Sequence, residues 1–339
     1  MNRPDGLALA DRLADLADRG RACAASRLAG GRNNQVFRLD MESGAPLVLK
    51  RYFVDSRDGR DRCAAEWCFL ERAWRNRIRA IPEPLVRDEA AHAALYSFVS
   101  GKKLTSAELA LAHVDAAADF IIAINATPYG DAAPASEACF SVVDHLAIVE
   151  RRLNRLAGLD PAAPHRAETE RFVSRQLRPT WDAVREHAMR DARGLGLAIN
   201  RQLSDGECCL SPSDFGFHNA LVADDGRLTF LDFEYAGRDD PAKLVVDFFC
   251  QPEIPVPPSY FEHFMERLSQ GLRFDTAAKT RCRLLLDICR IKWVCIMLND
   301  FLPIDTARRS FSGVTDRDIR CARQLKQAAA KLDEILVHN

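Results

Sequence analysis

The sequence has almost no net charge, no C-x-x-C cysteine pair and no long apolar run, and each absence removes a class of function. Its 47 lysines and arginines nearly balance 48 aspartates and glutamates, leaving a formal net charge of -1. No global field therefore points to nucleic acid or an anionic membrane as partner. The 11 cysteines are scattered from Cys23 to Cys321, with no C-x-x-C pair and no Cys/His grouping at zinc-finger spacing. Dispersed thiols in odd number make no disulfide framework; buried free thiols in a reducing cytoplasm are expected. The opening MNRPDGLALADRLADLADRG breaks its apolar residues with charge throughout, so no secretory signal is expected. No later run approaches the roughly 18 apolar residues of a membrane-spanning helix. No internal repeat, low-complexity tract or long linker interrupts the chain.

What remains is the composition of a soluble globular protein, 47% apolar and 28% charged over 339 residues, enough for one large domain or two ordinary ones. The chain changes character near residue 101. Before it, QVFRLDM, PLVLKRYF and the preceding SRLAGG read as three antiparallel strands around two turns. The helix-forming DRCAAEWCFLERAWRNR follows, then two further strands in IPEPLVRDEA and HAALYSFVSG. Beyond Gly101 the apolar residues recur at helical spacing. Thr105 and Glu108 form a potential capping box for a helix reaching about Ala126. Further helices are expected within 140–157, 167–191, 277–301 and 315–338. One island, GECCLSPSDFGFHNALVADDGRLTFLDFEYAG, reads as a loop, a short strand, an Asp-Asp-Gly turn and a second strand.

The island carries the chemistry. Antiparallel pairing of NALV with LTFLDFEY brings Asn219 close to Asp232, so an amide oxygen and a carboxylate converge. That pair suits Mg²⁺, which keeps waters and takes other ligands from phosphates. Asp214, on the loop before the first strand, is placed to orient or deprotonate a hydroxyl. The order Asp214-x-x-x-x-Asn219, then Asp232-Phe233-Glu234, follows the logic of a kinase catalytic loop and metal segment. A kinase also needs a strand lysine and a helical glutamate upstream, and Lys50 and Glu66 supply them, sixteen residues apart. Each piece alone also suits an ordinary turn, strand-edge or surface role; their order carries the reading.

These residues resemble the aminoglycoside phosphotransferase and choline kinase group of small-molecule kinases. LAGGRNNQVFRL resembles the sparse nucleotide loop of that group, LSPSDFGFHNALV its catalytic loop, and FLDFEYAGRDDPAKLVVDF its metal-binding segment. The resemblance spans roughly residues 25 to 300 and is most specific at 210–247. It implies a protein-kinase-like α+β fold of two lobes. Residues 1–100 form a nucleotide-binding lobe of small antiparallel sheet plus helix. Residues 101–339 form a mainly helical lobe with the catalytic hairpin at 210–240 and an acceptor cleft. It further implies transfer of the ATP γ-phosphoryl group to a hydroxyl of a small-molecule acceptor such as a sugar, aminoalcohol or aminoglycoside. Asp214 is then the catalytic base, and Asn219 and Asp232 hold Mg²⁺. Lys50 contacts phosphate and is paired by Glu66. Gly30, Gly31, Asn33 and Asn34 belong to the nucleotide loop, and backbone around Ser97, Phe98 and Val99 meets adenine. The enzyme is expected to be cytoplasmic, a monomer or homodimer, with no nucleic-acid or membrane partner.

The chain departs from the group at Pro212 and Gly216, where histidines commonly flank the catalytic aspartate. His218 is expected to make a structural hydrogen bond or, second, to touch substrate. Glu234 is open between a metal or substrate-cation contact and a strand-end salt bridge. Asp247, in KLVVDFFC, reads as a buried acid bonded to the catalytic loop, with a substrate contact as the second reading. The mixed charges of GRDDPAK argue against a dedicated polycation pocket, if they are not simply solvated. Arg290, Lys292, Trp293 and Asn299 lie on a late helix of the kind that lines the acceptor cleft, or pack in core and rim. The alternative function is a nucleotide-binding pseudokinase without turnover.

Overall fold

A computed structural model describes residues 5–28, 34–54, 59–303 and 316–336. Gly30, Gly31 and Asn33 of the expected nucleotide loop lie outside the described residues. The fold is protein-kinase-like, with a small antiparallel sheet in one compact unit and mostly helices in the other.

Among the described residues, the first unit comprises those up to 104 and 217–236. Its sheet runs in the order β1-β2-β3-β5-β4, from β1 (Ala22–Arg27), β2 (Gln35–Met41), β3 (Leu47–Arg51), β4 (Pro84–Asp88) and β5 (Ala93–Ser97). All pairings are antiparallel, and Lys50 on β3 stands opposite Val36 on β2 and Ala94 on β5. Strand alternation divides β3. Leu47 and Leu49 enter an apolar cluster with Leu39, Leu95 and the Ala10, Leu13 and Ala14 of helix α1 (Asp5–Leu16). Lys50 points to the other face. Helix α1 was not expected from the sequence, where charges interleave its apolar residues, yet Ala10, Leu13 and Ala14 recur at helical spacing.

Helix α2 (Arg62–Arg75) starts at Asp61, whose carboxylate accepts the Ala64 N–H at 2.8 Å. Its buried stripe is Cys63, Glu66, Phe69, Leu70 and Ala73, so a glutamate occupies a core position. After β5 the chain turns at Gly101 and pairs, through Lys102, with Val222: Lys102 N–H donates to Val222 O at 3.0 Å and receives the return bond at 2.8 Å. Val222 ends β7 (Ala220–Val222), which forms the expected hairpin with β8 (Leu228–Phe230) across the Asp-Asp-Gly turn. Gly226 takes the positive φ of 83° that this turn requires.

The second unit comprises residues 105–216, 237–306 and 316–339. Its helices are α3 (Leu111–Asn125), α4 (Val142–Arg155), α5 (Arg166–Phe172), α6 (Arg178–Gly194), α7 (Pro241–Cys250), α8 (Phe261–Ser269), α9 (Thr276–Met297) and α10 (Arg317–Leu336). The expected capping box does not start α3. Thr105 N–H and Oγ1 both donate to Glu108, at 3.0 and 2.9 Å, but they close a turn, and extended Ala110 separates that turn from the helix. The segment expected as one helix within 167–191 carries a π-helical turn at Val173–Leu177, where Arg178 N–H donates back to Val173 O just before Pro179. Two short strands, β6 (Cys209–Ser211) and β9 (Gly237–Asp239), pair and bracket the hairpin in sequence.

Helices α7 and α8 were also not expected. Every residue of α7 is buried, so no polar stripe marks its period. Its signal is Asp240 as N-cap, accepting Ala242 N–H at 2.9 Å, with Pro241 in the first turn. Phe261, Phe264, Met265 and Leu268 of α8 do keep a helical spacing. All 11 cysteines are free thiols, eight of them buried.

A Cβ at Gly101 would lie 2.8 Å from Val222 O, a backbone atom held in its strand pair. Gly101→Ala is therefore expected to lower stability by about 1–3 kcal/mol, read as a shift in urea midpoint at unchanged m-value. An unshifted midpoint would show that this close approach does not constrain the hairpin.

Candidate active site

The site in the first unit is built around one ammonium. Lys50 Nζ lies 2.6 Å from Glu66 Oε2 and 2.6 Å from Asp232 Oδ1, so β3, α2 and the segment after β8 share it. Burial opposes a charged lysine, yet the carboxylates of Asp232, Glu66 and Glu234 outweigh it and hold the Lys50 pKa well above its ordinary value. Tyr52 Oη donates to the same Glu66 oxygen at 2.8 Å and bonds Tyr96 Oη at 2.7 Å. Glu66 is thereby fixed in orientation, and its other oxygen accepts the Phe233 N–H at 3.3 Å.

Residues 232–234 are anchored one by one. Asp232 meets Lys50 through its side chain and adopts φ 65°, a left-handed conformation that aspartate tolerates better than most residues other than glycine. The Phe233 ring is buried and stacks on Phe69 of α2, with centroids 4.4 Å apart. The Glu234 carboxylate accepts from Asn34 Nδ2 at 2.7 Å and lies 3.8 Å from Arg62. This ion pair is one of the alternatives the sequence left open. Asn34 Oδ1 in turn accepts the Phe53 N–H at 3.1 Å.

Asn219 ends a single helical turn (Phe217–Asn219) instead of lying in the strand, and Asp232 lies beyond β8 instead of within it. The strand pairing nonetheless continues outward, because Leu231 N–H donates to Asn219 O at 2.8 Å. His218 lies on the same turn, with its carbonyl accepting from Lys103 Nζ at 3.3 Å. In the expected hinge, Ser97 N–H and Phe98 N–H donate to Glu83 O and Pro46 O, at 3.0 and 3.3 Å. Ser97 Oγ accepts the Glu83 N–H at 2.8 Å.

Asp214 lies in the second unit, at the centre of a tight turn. Phe215 N–H donates to Ser213 O at 2.8 Å, and Ser213 takes φ 67°. Phe215 holds the turn on the helices: its ring stacks between Phe120 of α3 (5.8 Å) and Phe248 of α7 (5.3 Å).

The charges of the GRDDPAK segment are not solvated. Asp239, Asp240 and Lys243 are buried, and only Arg238 keeps partial exposure. Asp240 lies 3.0 Å from Arg281 and 3.5 Å from His145, and Lys243 Nζ donates to Asp239 at 2.6 Å. Their mixture is internal pairing, so it carries no information on acceptor charge. Asp247 is a buried structural acid, but its partners are not on the catalytic loop. It is bonded by Lys292, by Trp293 Nε1 at 2.9 Å and by Cys289 Sγ at 3.2 Å, all on α9, and Lys243 Nζ lies 3.7 Å away. Lys292 and Trp293 therefore belong to this core network. The sequence signal was the placement of one acid and two lysines within apolar helical runs.

A match to the model of the phosphotransferase enzyme family covers residues 24–276. Comparison with curated proteins gives no match. Among solved structures, the choline kinase LicA from Streptococcus pneumoniae superposes with a TM-score of 0.61 at 12% identity, over 96% of this chain and 98% of that one. A choline/ethanolamine kinase family protein from Mesorhizobium loti gives 0.58 at 19% identity, over 96% and 94%. A spectinomycin phosphotransferase in complex with ADP and spectinomycin gives 0.57 at 14% identity, over 92% and 94%.

Burial pushes the Asp247 carboxyl up, but the Lys292 and Lys243 ammoniums outweigh it and bring its pKa down to about 2. A depressed carboxyl pKa stabilises the fold above the unfolded value and loses that contribution as pH falls through the folded one. About 2 kcal/mol should therefore disappear between roughly pH 4 and pH 2. Asp247→Asn is expected to be less stable at neutral pH by about 3 kcal/mol, with a flatter acid limb in urea unfolding. Parallel acid limbs for variant and wild type would contradict this assignment. The fold, the Lys50 cluster and the family match together establish that the chain belongs to the phosphotransferase enzyme family.

Proposed function

We propose that the protein transfers the γ-phosphoryl group of ATP to a hydroxyl of a small-molecule acceptor. The observation that carries this reading is Lys50, a buried ammonium 2.6 Å from both the α2 glutamate and the Asp232 carboxylate. A charge so placed serves phosphate oxygens better than packing, since an apolar side chain would fill the same space without desolvation. The ADP and spectinomycin in the spectinomycin phosphotransferase structure support the same donor and acceptor classes for this fold.

The donor set fits a divalent cation that is shared with a nucleotide. Among the described residues no group of three or more His, Cys, Asp or Glu side chains forms a cation cage. Asp232 remains 38% exposed beside a Lys50 of 9% and a Glu66 of 5%, so the open carboxylate is the one that can take a ligand. Asn219 and Asp232 would hold Mg²⁺, with remaining positions filled by phosphate and water. Bound there, the cation supplies neutralisation of charge on the phosphate oxygens.

The chain's own groups do the rest. Lys50 places a positive charge against the donor phosphates, and Glu66 with Tyr52 fixes its direction. Asp214 aligns the acceptor hydroxyl and takes its proton as the oxygen bonds to phosphorus. The bridging oxygen leaves with ADP. Four residues separate Asp214 from Asn219, so base and metal ligand are carried on one short segment whose phenylalanines are buried.

Two variants test the reading. Asp232→Ala is expected to lose the Mg²⁺-dependent rise in melting temperature that ATP gives the wild type. Asp214→Asn is expected to keep that rise while losing roughly 10²–10⁴ in kcat, read by coupled ADP release against sugars, aminoalcohols and aminoglycosides. A wild type that shows no nucleotide-dependent shift, or an Asp214→Asn of unchanged kcat, would overturn it.

A further inference from the structure

We propose that Glu234 is a positioning residue, not a metal ligand: with Asn34 it forms a latch between the entry to β2 and the Asp232 segment. The role rests on the nucleotide-binding reading above. Four observations carry it. First, the Glu234 side chain is 0% exposed, whereas Asp232, two residues earlier, keeps 38% of its surface open. A ligand that shares a cation with phosphate and water needs an oxygen facing them, and Glu234 offers none.

Second, both carboxylate oxygens have partners. Oε2 accepts from Asn34 Nδ2 at 2.7 Å, and Oε1 lies 3.8 Å from Arg62, whose guanidinium also lies 5.3 Å from the Tyr235 ring centroid. Third, the Asn34 amide is used at both ends, because its Oδ1 accepts the Phe53 N–H beyond β3. One side-chain amide thus ties residue 234 to the chain after β3, from a position one residue before β2. Fourth, the anchors along 232–234 differ in kind: Lys50 on the carboxylate of Asp232, Phe69 on the ring of Phe233, and Asn34 on Glu234. The third anchor is the one that reaches the approach to β2, whose preceding residues carry the glycines of the expected nucleotide loop.

The geometry assigns a consequence. When the latch is intact, the start of β2 and the metal carboxylate keep a fixed separation, so phosphate contacts on one side stay in register with metal contacts on the other. When it is cut, nucleotide affinity falls while the metal ligands remain in place.

A double-mutant cycle separates the alternatives. In thermal unfolding without nucleotide, Asn34→Ala and Glu234→Ala are each expected to lower the midpoint, with the double variant no lower than the worse single one. The reversed pair Asn34→Asp with Glu234→Gln, in which the new amide donates to the new carboxylate, is expected to recover most of the loss. In ADP-release kinetics, Glu234→Ala and Asn34→Ala should both raise KM for ATP about tenfold, while the Mg²⁺ activation constant moves less than about threefold. An activation constant raised tenfold or more in Glu234→Gln at unchanged KM would make Glu234 a ligand and overturn the proposal. Strictly additive midpoint losses would overturn it too. The nucleotide-free cycle reads the latch even if no phosphoryl transfer is found, so failure of the functional reading and failure of the latch give different results.

Discussion

An ammonium inside a protein is unstable unless carboxylates surround it, and the first unit is organised around meeting that requirement for Lys50. Two carboxylates at 2.6 Å hold it, and they come from elements far apart in sequence, 16 and 182 residues away. The pairing therefore fixes the placement of α2 and of the post-β8 segment relative to the sheet. Glu66 can occupy the buried stripe of α2 because Lys50, Tyr52 and the Phe233 N–H satisfy its oxygens. Removing Lys50 would leave Glu66 buried without its countercharge, the most destabilising way to break such a cluster. The arrangement is poorly suited to stability alone and well suited to presenting charge to a ligand.

The second unit repeats the strategy between its helices. Asp239, Lys243, Asp247 and Lys292 form a chain of buried opposite charges that ties β9 and α7 to α9. Asp240 adds Arg281 of α9 and His145 of α4 while also capping α7. Ionic pairs demand particular partners at particular distances, whereas apolar contact between helices tolerates sliding. A helix buried on every face, as α7 is, has no solvent side to set its rotation, and its acids and lysine set it instead.

Legibility followed from where the physics is local. Strands β2 to β5, the α2 glutamate and the hairpin were readable because alternation, turn residues and spacing act over a few neighbours, whereas β1 (Ala22–Arg27) starts four residues before the SRLAGG in which it was expected. Lys50 in PLVLKRYF became conspicuous through its order, ahead of Glu66 and the 214–234 island, since a strand lysine alone also suits an edge. Helix α7 was not readable, since burial on all sides removes the periodic signal. The partners of Asp247 were misplaced for a related reason: its burial could be inferred from KLVVDFFC, but its partners on α9, 42 to 46 residues further along, could not. GRDDPAK reads as solvated charge in any window short enough to omit Arg281 and His145. For Glu234, spacing left a ligand role only slightly ahead of a salt bridge, and its complete burial 3.8 Å from Arg62 is a fact no local window contains.

The phenylalanines that crowd the polar residues now have a mechanical role. Ser213, beside Asp214, and Asp232 itself both adopt left-handed backbone, which costs on the order of 1–2 kcal/mol for residues other than glycine. Such conformations persist only when neighbours hold them. Phe215 does so on one side, stacked between Phe120 and Phe248, and Phe233 on the other, stacked against Phe69. Each aromatic ring lies next in sequence to an aspartate and commits the backbone at the point where that aspartate must project. Replacing these rings with aliphatic side chains of similar volume would preserve burial but remove the stacking geometry that sets direction. The alternation of apolar and polar residues in SDFGFHNALV and FLDFEYAG thus sets each aspartate directly beside a buried, stacked ring.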